Sequence, residues 1–267
     1  MIAHVVLFEI HFKLREVPVL NNSYRLDQIY TYLLHKGSAT VEELAQKFCV
    51  TQTTIRRDLL VLEEQNMICR TRGAASLLDS EKTSATFQEE KKRIAAAASQ
   101  FIFSGMSLAL DTGSTVSTFL DYIMNVTVLK DINIITHSLR TAIQGSKAFN
   151  VSIPGGSLVP NDDFMVGVEV EEFYKKVNVD VAFLGSTGVY NCAGLTVSYP
   201  LQLPAKKNFA ACADKRIALL DSSKFIRRGI YVFCDFRDID VLVTIKTDEN
   251  KEQLERIADF GVEIILA

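Results

Sequence analysis

The stretch that most constrains this chain is VTQTTIRRDLLVLEEQNMICRTRGAA, from Val50 to Ala75. Ile55, Leu59 and Leu62 recur at helical spacing, and Thr53, Thr54, Arg56 and Arg57 lie between them with side chains suited to base edges and phosphates. The preceding Thr40-Val41-Glu42-Glu43 has the form of a capping box, in which Thr40 accepts from the Glu43 amide and Glu43 returns the bond. It predicts a helix over 41–48 whose buried edge is Leu44 and Phe48. Cys49-Val50 then makes the turn, and Thr51 caps a second helix running to Gln65. After Asn66 the period shifts towards two, so Met67–Arg70 and Gly73–Leu77 read as the two strands of a wing. Tyr24–His35 supplies a first helix with the stripe Leu26, Ile29, Tyr30 and Leu33, and Ser38–Thr40 a short strand for the wing to pair with. A winged helix-turn-helix over residues 24–78 follows. In it Thr51, Thr53, Thr54 and Arg57 face base edges or open the reading helix, while Arg56, Arg70 and Arg72 face phosphates.

Charge is compatible with this only locally. The formal net charge of the 267 residues is -3, so a nucleic-acid surface must be a patch, and Tyr24–Ala75 holds seven basic residues against six acidic ones. Four of those basic residues are arginines of the reading helix and wing. The five cysteines, Cys49, Cys69, Cys192, Cys212 and Cys234, have no CxxC or Cys/His spacing, which argues against a metal site and fits thiols in a reducing compartment. No apolar run approaches the ~20 residues of a membrane span, and residues 1–23 lack a signal-peptide pattern. Those first 23 residues are expected to be an extension, either poorly ordered or an added strand. A cytoplasmic protein with no membrane partner, no cofactor and no metal is the expectation.

The polar stretch 79–86 reads as a linker, and 87–267 as a second domain. That domain opens with a helix over 87–103 that turns Ile94, Ala97, Ala98, Phe101 and Ile102 inward and leaves Lys91, Lys92 and Arg93 near solvent. Beyond it, short apolar runs alternate with helical segments, the pattern of an α/β sheet. Strands are expected at 107–110, 132–135, 150–153, 179–184, 216–220, 230–233, 241–244 and 262–266. Helices are expected at 114–123, 138–144, 168–174, 204–213 and 250–260.

Ligands of open α/β sheets collect at the carboxyl ends of the strands. Asp111-Thr112-Gly113-Ser114-Thr115 follows the strand SLAL directly, and its glycine, hydroxyls and following helix suit a phosphate, although a capped strand-to-helix turn would look the same. Asp221-Ser222-Ser223-Lys224 follows RIALL and places a lysine beside hydroxyls. Thr136-His137-Ser138 ends another strand, Gly155-Gly156 follows VSIP, and Lys206 near a helix start conflicts with the helix dipole unless an anion compensates. The effector-site candidates are therefore Asp111, Thr112, Gly113, Ser114, Thr115, His137, Ser138, Gly155, Gly156, Lys206, Asp221 and Lys224. No nucleophile–base pair is fixed by spacing, so no catalytic residue is assigned.

With VEELAQKFCV and TTIRRDLLVLEEQNMICRTRGAA, followed in order by DTGST, ITHSL, the Gly155 pair, DVAFLG, GLT and LLDSSKF, the chain resembles the DeoR/GlpR family of bacterial transcriptional regulators from Tyr24 to Ala267. The resemblance implies a winged helix-turn-helix joined to a Rossmann-like α/β sensor domain similar to sugar-phosphate isomerases, which binds a phosphorylated sugar without converting it. It further implies a repressor of a carbohydrate uptake or catabolism operon, with double-stranded operator DNA as partner and a homodimer or homotetramer as the working unit. Four departures stand out: His137 where the family usually has Asn, Arg72-Gly73-Ala74-Ala75 for His-Gly-Gly-Ala, Asn66 for the turn glycine, and a stretch between the wing and the KKRIA helix that is several residues shorter than usual. An isomerase-like enzyme with a regulatory DNA-binding head is the alternative; a module working through protein contacts is a third reading.

Overall fold

The apolar stripes fix the first domain. In a computed structural model of the chain, which describes residues 22–64, 68–71, 73–77, 80–126, 128–159 and 163–267, helix α1 (Asn22–Lys36) is followed by β1 (Ser38–Thr40), α2 (Val41–Lys47) and α3 (Gln52–Glu64). The wing is β2 (Ile68–Thr71) and β3 (Ala74–Leu77), turned at Gly73. β3 is the centre of a three-stranded antiparallel sheet, between β1 and β2. Leu26, Ile29, Leu33, Leu44, Ile55, Leu59, Leu62 and Ile68 meet in one core. Cys49 takes a positive φ of 52° at the turn between α2 and α3. The expected extension lies outside the described residues up to position 21, while α1 already includes Asn22.

Two polar contacts set the angles between these helices. Arg25 of α1 reaches Asp58 of α3 through Nε (2.6 Å) and Nη2 (3.0 Å), and the Asp58 side chain is 3% exposed. The capping box forms only by half: Thr40 Oγ1 accepts from the Glu43 amide at 3.1 Å, but the Glu43 carboxylate turns away to Lys36 and the Tyr32 hydroxyl of α1. A long-range ion pair and a phenol outcompete the return bond to the cap.

The stretch expected as a linker is helical instead from Ser80, where α4 (Ser80–Ala98) begins. A polar sequence without proline or glycine can extend a helix whose later turns are anchored, and here Ile94, Ala95 and Ala98 are fully buried against the sheet. Lys91, expected near solvent, is buried on the same helix.

The second domain is a seven-stranded parallel sheet. Its strands are β4 (Ser107–Leu110), β5 (Asn133–Ile135), β6 (Asn150–Ser152), β9 (Val179–Leu184), β11 (Ala213–Leu220), β13 (Val241–Thr244) and β14 (Glu263–Leu266), in the order β14-β13-β11-β9-β4-β5-β6. Two smaller pairs stand outside it: β7 (Ser157–Leu158) with β8 (Met165–Val166), and β10 (Gly194–Val197) with β12 (Tyr231–Asp235). Of these, β7, β8 and β10 carry no period-two signal, and β12, expected in the same series as the others, leaves the main sheet. Helices α5 (Ser114–Val126), α6 (Leu139–Gly145), α7 (Val168–Tyr174), α8 (Leu203–Ala211) and α9 (Lys251–Ala258) complete the domain.

The central strands are apolar at nearly every position because both faces are covered. Leu108, Leu110, Phe183, Leu219 and Val243 pack with α4 and α5 on one face. Ala109, Ala182, Leu184, Leu220 and Leu242 pack with α7, α8 and α9 on the other. From β4 the chain proceeds outward through β5 and β6, then crosses back to β9 and continues the opposite way. The strand order thus reverses between β4 and β9, and their carboxyl ends flank the crevice where such sheets bind ligands.

Removing the guanidinium leaves the Asp58 carboxylate, 3% exposed, with little access to water. Arg25→Ala is expected to destabilise the first domain by about 3 kcal/mol, read as a lowered midpoint in chemical denaturation. A midpoint unchanged from wild type would show that the pair holds nothing.

Candidate functional site

The reading helix is built as its sequence requires. Thr51 caps α3, its Oγ1 accepting from the Thr54 amide at 3.2 Å and lying 2.9 Å from the Thr54 hydroxyl. The Thr53, Arg56 and Arg57 side chains are exposed on α3 away from the buried Ile55, Leu59 and Leu62, and Thr51 is exposed at its cap. Arg56 is steadied by Gln52 at 3.1 Å, whereas Arg57 has no partner among the described residues. Arg70 bonds the Glu63 carboxylate through its amide (3.3 Å) and its guanidinium (3.2 Å), which ties the wing to the end of α3. Its side chain remains 32% exposed, so this brace and the expected phosphate contact are compatible. Arg72 lies outside the described residues.

At the strand-order reversal, the Asp111 carboxylate is fully buried. It accepts from its neighbour Thr112 N at 2.7 Å, from Gly185 N at the end of β9 at 2.9 Å, and from the Lys206 ammonium of α8. Lys206 also lies over the Phe233 ring, 4.6 Å from its centroid. Asp221, at the end of β11, is equally buried and accepts from Ser223 N, the Ser223 hydroxyl and, at 3.3 Å, the Thr115 hydroxyl. Both aspartates were candidates for ligand contact; they instead hold the loops, since all of their oxygens face protein donors.

Over them opens a cavity of about 410 Å³. Of the expected residues, Thr112, Gly113, Ser114, Thr115, Lys206 and Lys224 line it. Gly113 takes φ 119°, a conformation side chains resist, and so lets the chain turn into α5 with its first amides directed at the cavity. The rest of the wall includes Tyr30, Ser186, Ser198, Gln202 and Arg227, none of which sequence reasoning selected. Only the Arg227-Arg228 doublet three residues beyond Lys224 offered a signal, a cation pair in the loop that follows β11.

Four expected residues stand elsewhere. His137 is buried behind the cavity, with Nδ1 3.0 Å from the Tyr174 hydroxyl, Nε2 4.0 Å from Asp111, and edge-on contacts to Tyr174 and Phe209. Ser138 caps α6, accepting from Thr141 N at 3.2 Å. Gly155 and Gly156 form the tight entry to β7. A Cβ on Gly156 would sit 2.7 Å from the Val166 carbonyl oxygen, so packing alone accounts for that glycine.

The electrostatics of the cavity favour an anion. Lys206 is neutralised by Asp111, and Asp163 on the wall pairs with Arg140 at 2.6 Å. Lys224 and Arg227 have no acidic hydrogen-bond partner among the described residues, and burial pushes the Lys224 amine below its ordinary range, with Arg227 and Lys91 adding to the effect and Asp221 opposing it. An anionic ligand at the first turn of α5 would relieve that strain on charge. No group of three or more His, Cys, Asp or Glu side chains able to hold a metal occurs among the described residues, and none of the described helices is long and apolar enough to cross a membrane.

Comparison with known proteins matches the chain in two stretches. The family model described as "DeoR-like helix-turn-helix domain" matches residues 25–81, and that described as "DeoR C terminal sensor domain" matches 86–246. The transcriptional repressor GlcR of Bacillus subtilis is 29% identical over 251 residues, covering 91% of this chain and 95% of that one. The glycerol-3-phosphate regulon repressor of Escherichia coli is 28% identical over 233 residues, covering 84% of this chain and 91% of its own. Among solved structures, ribose 5-phosphate isomerase from Plasmodium falciparum overlaps 52% of this chain and 54% of its own with 24% identity and a TM-score of 0.38, too partial a match to carry an inference.

Two outcomes follow from this geometry. Burial pushes the His137 imidazole down to about 4 from its ordinary 6.5, with Asp111 opposing and Lys206 assisting. The neutral form is the one folding keeps, so its contribution is complete above pH 6.5 and is lost as pH falls towards 4, by about 3 kcal/mol in all. Thermal unfolding of His137→Asn across pH 4–7 should show a flatter acid limb than wild type; parallel curves would contradict the assignment. On the reading helix, Arg57→Ala should weaken binding to a specific site by about 1–3 kcal/mol and relax its sequence preference, whereas equal loss on random DNA would mark Arg57 as a phosphate contact.

Proposed function

The chain belongs to the DeoR family of helix-turn-helix transcriptional regulators, and from that membership we propose that it is a repressor of a carbohydrate uptake or catabolism operon, released by a phosphorylated sugar or related metabolite. Its relatives are named as regulators and repressors, among them ones named for glycerol 3-phosphate and for the aga operon, and they place the protein among regulators of carbohydrate metabolism and not among enzymes. The observation that carries the reading is the pairing of a cavity at the strand-order reversal, lined by Lys224 and Arg227, which have no acidic hydrogen-bond partner among the described residues, with an exposed α3 bearing Thr53 and Arg57.

Each part has a definite task in this scheme. The first turn of α5, with Thr112, Ser114 and Thr115, receives the phosphate through amides and hydroxyls. Lys224 adds charge, while Lys206 is oriented by Asp111 towards the sugar side of the same cavity. The working unit is a homodimer or homotetramer in the cytoplasm, since one reading helix covers one half-site and operators of this kind are read two half-sites at a time. Release requires that the effector prefer the arrangement of heads that cannot span both half-sites; equal affinity for both arrangements would change nothing.

The test is a thermal-shift panel of D-glucose 6-phosphate, D-fructose 6-phosphate, D-ribose 5-phosphate and sn-glycerol 3-phosphate, followed by operator retardation with each stabilising compound. At least one should raise the melting temperature and release operator DNA, and Ser114→Ala with Lys224→Ala should abolish both effects. Conversion of any of the four by the purified protein would favour an isomerase-like enzyme.

A further inference from the structure

One wall of the cavity does not belong to the sensor domain. Tyr30, from the middle of α1, contributes its ring to the core of the DNA-reading head beside Ile29, Leu33 and Ile55, and is 8% exposed. The same side chain lines the sensor cavity together with Lys224 and Arg227. The guanidinium of Arg227 acts on its phenol, drawing the pKa down while burial, the larger effect, raises it. Core packing at this position asks only for an aromatic ring. The hydroxyl has no hydrogen-bond partner among the described residues, and the side chain lines the cavity, so a ligand oxygen can reach it.

Its surroundings point the same way. Arg227 Nε is buried and without a partner among the described residues, as is the Oγ of Ser198, whose residue is 6% exposed; both residues line the cavity. The charge of Lys91 also reaches Lys224, and Lys91 lies on α4, the helix that connects the two domains. An anion that satisfied Arg227 would therefore meet donors from the sensor on one side and from the head on the other. The cavity keeps about 410 Å³ with Tyr30 in place, within the usual range of ligand pockets (about 300–1,000 Å³), so a sugar phosphate need not expel the ring.

We propose that Tyr30 is an effector-contacting residue supplied by the DNA-reading head, so that a sugar phosphate bridging the Tyr30 hydroxyl and Arg227 fastens the head to the sensor domain. This rests on the function proposed above and adds the route by which occupancy reaches the DNA. The ligand binds the docked head better than the undocked one because only the docked head offers the hydroxyl. With operator DNA binding the undocked head better, a premise the experiment below tests, DNA and ligand weaken each other by the same factor.

The experiment compares full-length wild type, Tyr30→Phe and Arg227→Gln, each checked for a cooperative melt. Calorimetry gives the affinity for each of the four sugar phosphates named above. The coupling factor is the ratio of operator dissociation constants with and without saturating sugar phosphate. Tyr30→Phe should bind the best wild-type ligand about tenfold more weakly, the loss expected for one hydrogen bond to a charged group, and its coupling factor at saturation should fall at least fivefold. Arg227→Gln, altered from the sensor side, should move both quantities in the same direction and keeps the test open if the head variant does not fold. Wild-type affinity and coupling in Tyr30→Phe, with or without a lowered melting temperature, would reduce Tyr30 to a core residue and overturn the inference while leaving the proposed function intact. Failure of all four compounds to bind wild type would instead remove the proposed function, and this inference with it.

Discussion

The sensor domain depends on one buried carboxylate. Asp111 joins the ends of β4 and β9, 74 residues apart in sequence, through the Gly185 amide, and draws in α8 through Lys206. A carboxylate so deep in the protein is tolerable only because donors surround it. Those donors fix the positions of three segments that would otherwise be free to splay where the strand order reverses. Asp221 repeats the device at the end of β11, reaching the first turn of α5 through Thr115. The cavity is what remains above these two anchored acids, and its positive character follows from their being consumed below it.

The DNA-reading head relies on the same kind of commitment. Asp58 takes Arg25, Glu43 takes Lys36 and Tyr32, and Glu63 takes Arg70. Each acid fastens the reading helix, or the helix before it, to a neighbour. These three acids are thus committed to partners within the head, whereas the exposed Arg57 has no partner among the described residues.

Between head and sensor runs α4, helical from just after the wing to the sheet. Its Glu90 carboxylate accepts from the amide and hydroxyl of Ser222 at 2.8 and 2.9 Å, in the loop that carries Lys224. The stretch read from its polar composition as a linker is thus helical from Ser80, and the same helix bonds the cavity loop through Glu90.

Sequence by itself determined most of the elements and the kind of chemistry, though not β7, β8, β10 or the start of α4. Periodicity laid out α1 to α3 and the wing, the apolar runs gave the seven strands of the parallel sheet, and glycine and hydroxyl residues at strand ends marked the phosphate-like loop at Thr112–Thr115. These are local properties, written in residues a few positions apart. Tertiary structure decided which strand ends meet. The order of strands brings β9 beside β4, which turns Asp111 and Asp221 into scaffolds, sends His137 behind the cavity, leaves Ser138 to cap α6 and Gly156 to pack against Val166. The same convergence carries Ser198, Arg227 and Tyr30 of the head into the wall. No spacing along the chain encodes such meetings, because they depend on how sheets and helices pack over tens of residues, and the side chains concerned are ordinary in their own segments.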